Sequence, residues 1–230
     1  RVPTGGVWSV CDGMTAAVGL RETAAQLDSL DRPTVLEGGL DGLEETLRKQ
    51  DPGLRFDAVI GRNGLGPLSA KSDAVRLISR LMAPGGRVSL VENVQRRAQR
   101  LSALISLEDL EGDLGARVVA AEKGIYENET NPRVNWDADD LAALFEKADL
   151  GEVRCATETY TSSRRITVQH LGHWFNPGGD QHHTFAHHLR RHMDDQELGH
   201  VRKHFEHELT DKNVLWTTTY LHLTASNGGQ

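Results

Sequence analysis

From Lys71 to Glu92 the chain reads KSDAVRLISRLMAPGGRVSLVE, and its apolar pattern changes period within four residues. Val75, Leu77, Ile78, Leu81 and Met82 recur as one face of a helix would, and Ser72 stands where a helix cap is expected. After Ala83-Pro84-Gly85-Gly86 the apolar residues are Val88, Leu90 and Val91, closed by the carboxylate of Glu92. A helix that gives way to a buried strand through so short a corner must reverse in place. That favours positive φ and no Cβ, which two glycines supply. Such corners belong to chains whose helices pack back onto a parallel sheet.

The rest of the first 94 residues repeats the alternation. GVWSVCD (Gly6 to Asp12) predicts a strand, and a helix follows through Met14, Ala17, Val18, Ala24, Ala25 and Leu27 until LDRP stops it. PTVLEG predicts the next strand, with an acidic helix from about Leu40 to Lys49; DPG then breaks the chain before the strand FDAVIG (Phe56 to Gly61). These residues form a doubly wound α/β unit. Residues 95–135 read as a helical insertion or lid, mostly amphipathic from Arg96 to Glu129, with AQRLSALISLEDL as a helix over a crevice or against the sheet. In residues 136–230, Asp137 caps a helix to about Ala148, with Asp139 and Asp140 in its first turn, and Gly151 precedes a strand. A short helix ended by Pro177, a His-rich polar segment, a helix from about Asp194 to Leu209 and the strand VLWTTTYLHLTA complete the chain.

This order resembles the class I S-adenosylmethionine-dependent methyltransferases. The resemblance is carried by FDAVIGRN, AVRLISRLM and APGGRVSLVE, which match that family's fourth strand, following helix, PGG corner and fifth strand, and by LAALFEKADLGEVRCATETY, which matches its later helix and sixth strand. It runs from Val7 to Tyr160, with the last strand at Val214 to Ala225. It implies a Rossmann-like sheet, mostly parallel with an antiparallel late strand, and S-adenosylmethionine as cofactor. The family's glycine-rich turn after its first strand has no counterpart here. GVWSVCD therefore takes the place of the second strand, and the first strand and its helix are expected upstream of Arg1. The GRN and WDADDL segments also resemble the methyltransferase-like region fused behind a replication-associated AAA+ recombination ATPase.

In that register the resemblance assigns residues. Asp12 ends the second strand, where one carboxylate can accept from both ribose hydroxyls; the other reading is a helix cap. Gly39, Leu40 and Asp41 follow the third strand on the adenine side. Gly61, Arg62 and Asn63 leave the fourth strand into the crevice at the carboxyl ends of the strands, Asn63 orienting a substrate or forming a turn. Glu92 ends the fifth strand as a general base or as a capping carboxylate. The chemistry needs few side chains, because reactivity resides in the sulfonium and the protein positions and desolvates.

Composition bounds the alternatives. The net charge of -7 disfavours a chain that grips nucleic acid over its whole surface, leaving a local basic patch at Arg96, Arg97 and Arg100. Two cysteines, no apolar run of membrane length and no leader-like start predict a cytoplasmic protein. Ten of the eleven histidines fall between His170 and His207, and His183 with His187, His188 with His192, and His200 with His204 have helical i, i+4 spacing. No recognised carboxylate spacing completes a metal site there, so a solvated helical face or a partner contact is expected. Trp136, Trp174 and Trp216 read as core or lid anchors. The competing functions are a non-catalytic module serving an attached AAA+ ATPase or a homo-oligomer, and, against the PGG corner, a nicotinamide-dependent oxidoreductase; the methyl acceptor is not specified.

Overall fold

The computed structural model describes residues 6–11, 13–40, 42–176 and 184–228. Helix α3 (Lys71–Leu81) passes directly into β4 (Met82–Asn93), with no loop between them. Met82 already pairs with Phe56 of β3 (Phe56–Arg62), but the next partner in register is Arg87 opposite Ala58, so the corner bulges out between them. Gly85 has φ 75°, and a Cβ on Gly86 would lie 2.9 Å from the carbonyl oxygens of both Ala83 and Phe56. Asn227 clamps the corner: its carbonyl accepts from Gly85 N–H at 2.7 Å and its own N–H donates to Gly86 O at 2.9 Å. The expected cap at Ser72 is corrected. The helix begins at Lys71 behind Ala70, because Lys71 Nζ is tied at 2.6 Å to the carbonyls of both Leu68 and Pro132.

The other elements are β1 (Trp8–Cys11), α1 (Met14–Ala24), β2 (Thr34–Glu37), α2 (Leu43–Gln50), α4 (Leu114–Tyr126), α5 (Ala138–Glu146), β5 (Gly151–Arg165), α6 (Val168–Phe175), α7 (Phe185–Leu189), α8 (Asp195–Leu209) and β6 (Asn213–Ser226). Two sheets result. Strands β1 and β2 form a parallel pair, and the larger sheet has the order β3-β4-β6-β5, with β6 antiparallel to both neighbours. This is a Rossmann-like α/β arrangement, mostly parallel, with one antiparallel late strand. Among the described residues no strand joins β1 to β3, and the two sheets meet only through side chains. Leu43 and Leu47 of α2 pack on Leu77 and Leu81 of α3, with Trp8 and Phe56 against them.

One face of the larger sheet is covered. Val75 and Ile78 of α3 and Leu141 and Phe145 of α5 pack on Val88, Leu90, Leu221, Leu223 and Ala225. The alternate residues on the other face, Ala58, Ile60, Ser89, Ala156 and Thr224, are exposed, and Ile60 at the centre of β3 is 83% exposed. A second core lies in the helices: Val118, Phe175, Phe185, Leu189, Val201 and Phe205 of α4, α6, α7 and α8. Capping boxes start α5 at Asp137, the cap its sequence predicts, and α8 at Asp194, near where its sequence predicts the helix to begin.

The expectation of a mostly helical segment from Arg96 to Glu129 is corrected. Only α4 is an α-helix there, and the preceding stretch has two single 3-10 turns, Gln95–Arg97 and Ser102–Leu104. The buried carboxylate of Glu122 on α4 accepts from the backbone N–H groups of Leu101 at 2.6 Å and Ser102 at 3.2 Å, and from the Ser102 hydroxyl. Such a long-range clamp replaces the helix that local pattern favours. Among the described residues no helix is long and apolar enough to cross a membrane.

Candidate functional site

The carboxyl ends of β3 and β4 lie side by side, where open α/β sheets hold their ligands. Beyond them, β5 and β6 continue as a two-stranded ribbon. Strand β4 follows β6 only to Asn93 opposite Tyr220, whereas β5 and β6 pair on to Arg165 opposite Asn213. The ribbon ends at Ile166, fully buried among α4, α6, α7 and α8, so the helical core stands over the same end of the sheet.

The loop leaving β3 is fixed from several sides. Asn63 has φ 53°, the left-handed conformation asparagine tolerates. Its N–H donates to Val91 O, and its Oδ1 accepts the N–H of Asn93, both at 2.9 Å. Glu92, 1% exposed, accepts from three successive amides: Gly64 and Leu65 on Oε1 at 2.9 and 3.0 Å, and Gly66 on Oε2 at 3.0 Å. Trp136, 3% exposed, donates its indole N–H to Gly66 O at 3.2 Å, and a Cβ on Gly66 would stand 3.0 Å from that indole. Lys71 closes the far end of the loop. Burial pushes its ammonium pKa down, and the nearby Glu92 carboxylate opposes that shift.

The sequence-derived site residues are thus distributed as follows. Asn63 and Glu92 come together, each engaged with the protein's own backbone. Gly61 faces the core, where a Cβ would meet Leu90 Cδ2 at 2.7 Å, so this glycine serves packing. Arg62 is exposed beside Val91. Gly39 follows β2 on the surface, and Leu40 packs into both the sheet core and the α2–α3 cluster. Asp12 and Asp41 lie outside the described residues, as do Pro177, His182 and His183.

Of the three arginines at which the sequence leaves room for a basic patch, Arg96 pairs with Glu129 and Arg97 with Asp137, each at 2.6 Å, and Arg100 lies 4.0 Å over the ring of Tyr126. Among the described residues no three His, Cys, Asp or Glu side chains converge as a metal site. Trp136 is a core anchor, while Trp174 and Trp216 stack at 6.2 Å between centroids in a half-exposed ladder that His170 and Arg164 extend.

Two features escaped the sequence. Asn93 Oδ1 is buried at the crevice end of β4 with no hydrogen-bond partner among the described residues. An asparagine after a strand carries no signal by itself, and only the pairing of β3 with β4 brings it to the crevice. The second is the pair Gly13 and Gly38, which joins the sequence-derived Gly39 in a glycine cradle at the ends of β1 and β2. Gly13 and Gly38 have φ 102° and 137°, Gly38 N–H donates to Cys11 O at 3.0 Å, and a Cβ at Gly13, Gly38 or Gly39 would meet nothing within 4 Å. Open backbone of this kind admits the close approach of a nucleoside. The open backbone there leaves room for an adenosine-bearing cofactor.

No protein-family model matches the chain, and no curated protein matches its sequence. Solved structures do match. The chain superimposes on YcgJ from Bacillus subtilis with a TM-score of 0.52 at 14% identity, over 98% of this chain and 83% of that one. Lower similarity is found to phosphoethanolamine N-methyltransferase 1 of Haemonchus contortus, solved with phosphoethanolamine and S-adenosylhomocysteine (TM-score 0.45, 13% identity, 96% of this chain and 30% of that one). An arsenic(III) S-adenosylmethionine methyltransferase from Chlamydomonas reinhardtii is comparable (TM-score 0.44, 15% identity, 96% and 55%). At such identities the likeness is one of fold.

Proposed function

We propose that this chain is the greater part of an S-adenosylmethionine-dependent methyltransferase domain whose sheet is completed by one strand–helix unit outside the described residues. The observation that carries the reading is the pair of sheets itself. Strand β1 beside β2, and β3-β4-β6-β5 with β6 reversed, form two separate sheets among the described residues, and in this reading a further parallel strand lies between β1 and β3, next to the uncovered face bearing Ile60. A parallel sheet is normally covered on both faces, so an open edge beside an open face suits the arrival of a strand and a helix together.

In this reading the cradle of Gly13, Gly38 and Gly39, with Asp12 and Asp41 beside it in sequence, holds the adenosine. When bound, the cofactor supplies an electrophilic methyl group on a sulfonium. The chain's residues orient and desolvate. Glu92 and Lys71 fix the loop after β3, and Asn93 offers its Oδ1, which pairs with none of the described residues, to a donor on the methyl acceptor. Glu92 acts as a positioning residue rather than as the base, since three amides already occupy its oxygens. That same engagement of Asn63 and Glu92 favours a second reading, a non-catalytic module that retains the fold and serves an attached AAA+ ATPase or an oligomer.

The test is calorimetric titration of S-adenosylmethionine into this chain and into a chain extended ahead of Arg1 by a strand, a glycine-rich turn and a helix. Binding by the extended chain, with little by the shorter one, and methyl transfer abolished by Asn93→Ala are expected. Equal tight binding by both overturns the open-slot reading, and binding without transfer to any acceptor favours the non-catalytic one.

A further inference from the structure

We infer that two copies of this chain associate through β5, pairing antiparallel about a two-fold axis at Thr161. Strand β5 ends the larger sheet, and every residue from Ala156 to Arg165 is exposed, so both faces and the outer edge of this stretch are free. Natural edge strands are blunted by charged side chains, lysine above all, by proline, by bulges or by brevity, and the charges of this edge from Ala156 onward are Glu158, Arg164 and Arg165, of both signs. This one has neither lysine nor proline, and its register against β6 is regular from Arg154 to Arg165. Its β-branched and aromatic residues, Thr157, Thr159, Tyr160 and Thr161, suit an extended strand.

The direction of the amides decides the register. Ile166 N–H donates to Lys212 O at 2.9 Å, so Ile166 turns its backbone groups toward β6, and the even-numbered residues before it do the same. The opposite parity holds across the pair. Thr219 O accepts from Val94 N–H at 2.9 Å and Thr217 N–H donates to Gln99 Oε1 at 3.2 Å, both pointing away from β5. Thr157, Thr159, Thr161, Ser163 and Arg165 therefore present one N–H and one C=O each to the open edge.

A two-fold axis normal to the sheet keeps each face on its own side. It sets Thr161 opposite Thr161, Thr159 opposite Ser163, and Thr157 opposite Arg165, so that all five outward residues exchange hydrogen bonds with the second copy. In this register Glu158 lies directly opposite Arg164 of the other copy, twice by symmetry, at the close non-hydrogen-bonded positions where side chains interact most. Shifting the centre by one residue either way separates these charges, and centring on Thr159 sets Arg164 against Arg154. Glu158 and Arg164 are both exposed on the face that carries Tyr160 and Trp216, in reach of a second chain.

The experiment is sedimentation equilibrium of the whole chain and of four variants. Wild type is expected to show a concentration-dependent monomer–dimer equilibrium. Thr161→Pro removes an N–H that points only outward, leaves the β5–β6 ladder bonded, and abolishes the dimer. Glu158→Arg and Arg164→Glu each raise the dissociation constant about tenfold, and the double swap Glu158→Arg/Arg164→Glu restores it, since two facing pairs per dimer are first broken and then remade. A wild-type chain that stays monomeric at every accessible concentration overturns the inference. So does a dimer that Thr161→Pro leaves intact, or a double swap as weak as the single ones, which keeps the test decisive should the proline variant fold poorly.

Discussion

The two sheets of this molecule use the same kind of parallel strand and differ in what surrounds them. Strands β3 and β4 have their backbone paired along the register, one face under α3 and α5, and their carboxyl-end loop held by a buried carboxylate and a buried ammonium. Strands β1 and β2 are four residues each and pair only with one another among the described residues. Large apolar side chains stand in solvent around them: Val7, Val10, Met14, Val18, Leu27 and Leu30. A soluble domain scatters a few apolar residues on its surface, but a concentration of them beside two unpaired strand edges marks a surface meant to be covered. Among the described residues the four-stranded half has one face packed under helices, and the two-stranded half keeps more of its apolar surface in solvent.

The largest effect expected from breaking that contrast is at Glu92. Glu92→Ala leaves three amides without their acceptor, those of Leu65 and Gly66 buried, and removes the carboxylate opposite Lys71, at a cost of about 3 kcal/mol or more. Urea unfolding followed by tryptophan fluorescence measures it. A cost below about 1 kcal/mol would mean that the loop after β3 is not held in the way described and that the larger sheet is no better consolidated than the smaller one.

Sequence reading reached the larger sheet and much of the smaller one because the signals there are local. Asp137 with Asp140 and Asp194 with Glu197 close capping boxes over three residues, and the PGG corner is a requirement on φ that few residues meet. The loop clamps were not legible. Glu92 and the amides of Gly64 to Gly66 lie 26 to 28 positions apart, and Glu122 and Ser102 lie 20 apart, so nothing in either segment's pattern announces the other. The start of α3 was misread for the same reason, since its determinant, the Pro132 carbonyl, is 61 residues away. At the candidate site, sequence placed Asn63 and Glu92 at the right end of the sheet but not what their oxygens accept, and it gave no weight to Asn93.

A smaller effect is expected from pH, and it separates the helical core of α4 and α8 from the sheet. Glu197 on α8 takes a bidentate grip from Arg117 of α4, at 2.6 and 2.9 Å, and these hydrogen bonds, with the backbone N–H of Asp194, hold its carboxyl pKa below the usual value. A carboxyl lowered on folding contributes stability that is fully present above its unfolded pKa and disappears as pH falls through its folded one. Acidification below the ordinary glutamate range should therefore loosen α4 from α8 first. Glu197→Gln, which cannot ionise, should flatten that part of the pH profile, read as hydrogen exchange of α4 and α8 amides. If the variant retains the wild-type acid dependence, the Arg117–Glu197 pair is not the source of it.

The smallest effect discriminates best between the two halves. Ile60 is 83% exposed at the centre of β3, flanked by the edge where β1 is not paired and by the face that no helix covers among the described residues. Burial contributes nothing at a side chain already in water, so Ile60→Lys in this chain should change stability by no more than about 0.5 kcal/mol. In a chain extended by the strand–helix unit the same substitution puts an ammonium under a packed helix. There it should cost about 2 kcal/mol or more, from the lost apolar burial and the desolvated charge. The difference between the two costs, measured by paired urea titrations, reports whether the open face is a docking surface or an ordinary stretch of exposed sheet. Equal small costs in both chains would leave the slot beside β3 without a helix to fill it, and the imbalance between the two sheets would then be a property of the fold itself rather than of a missing neighbour.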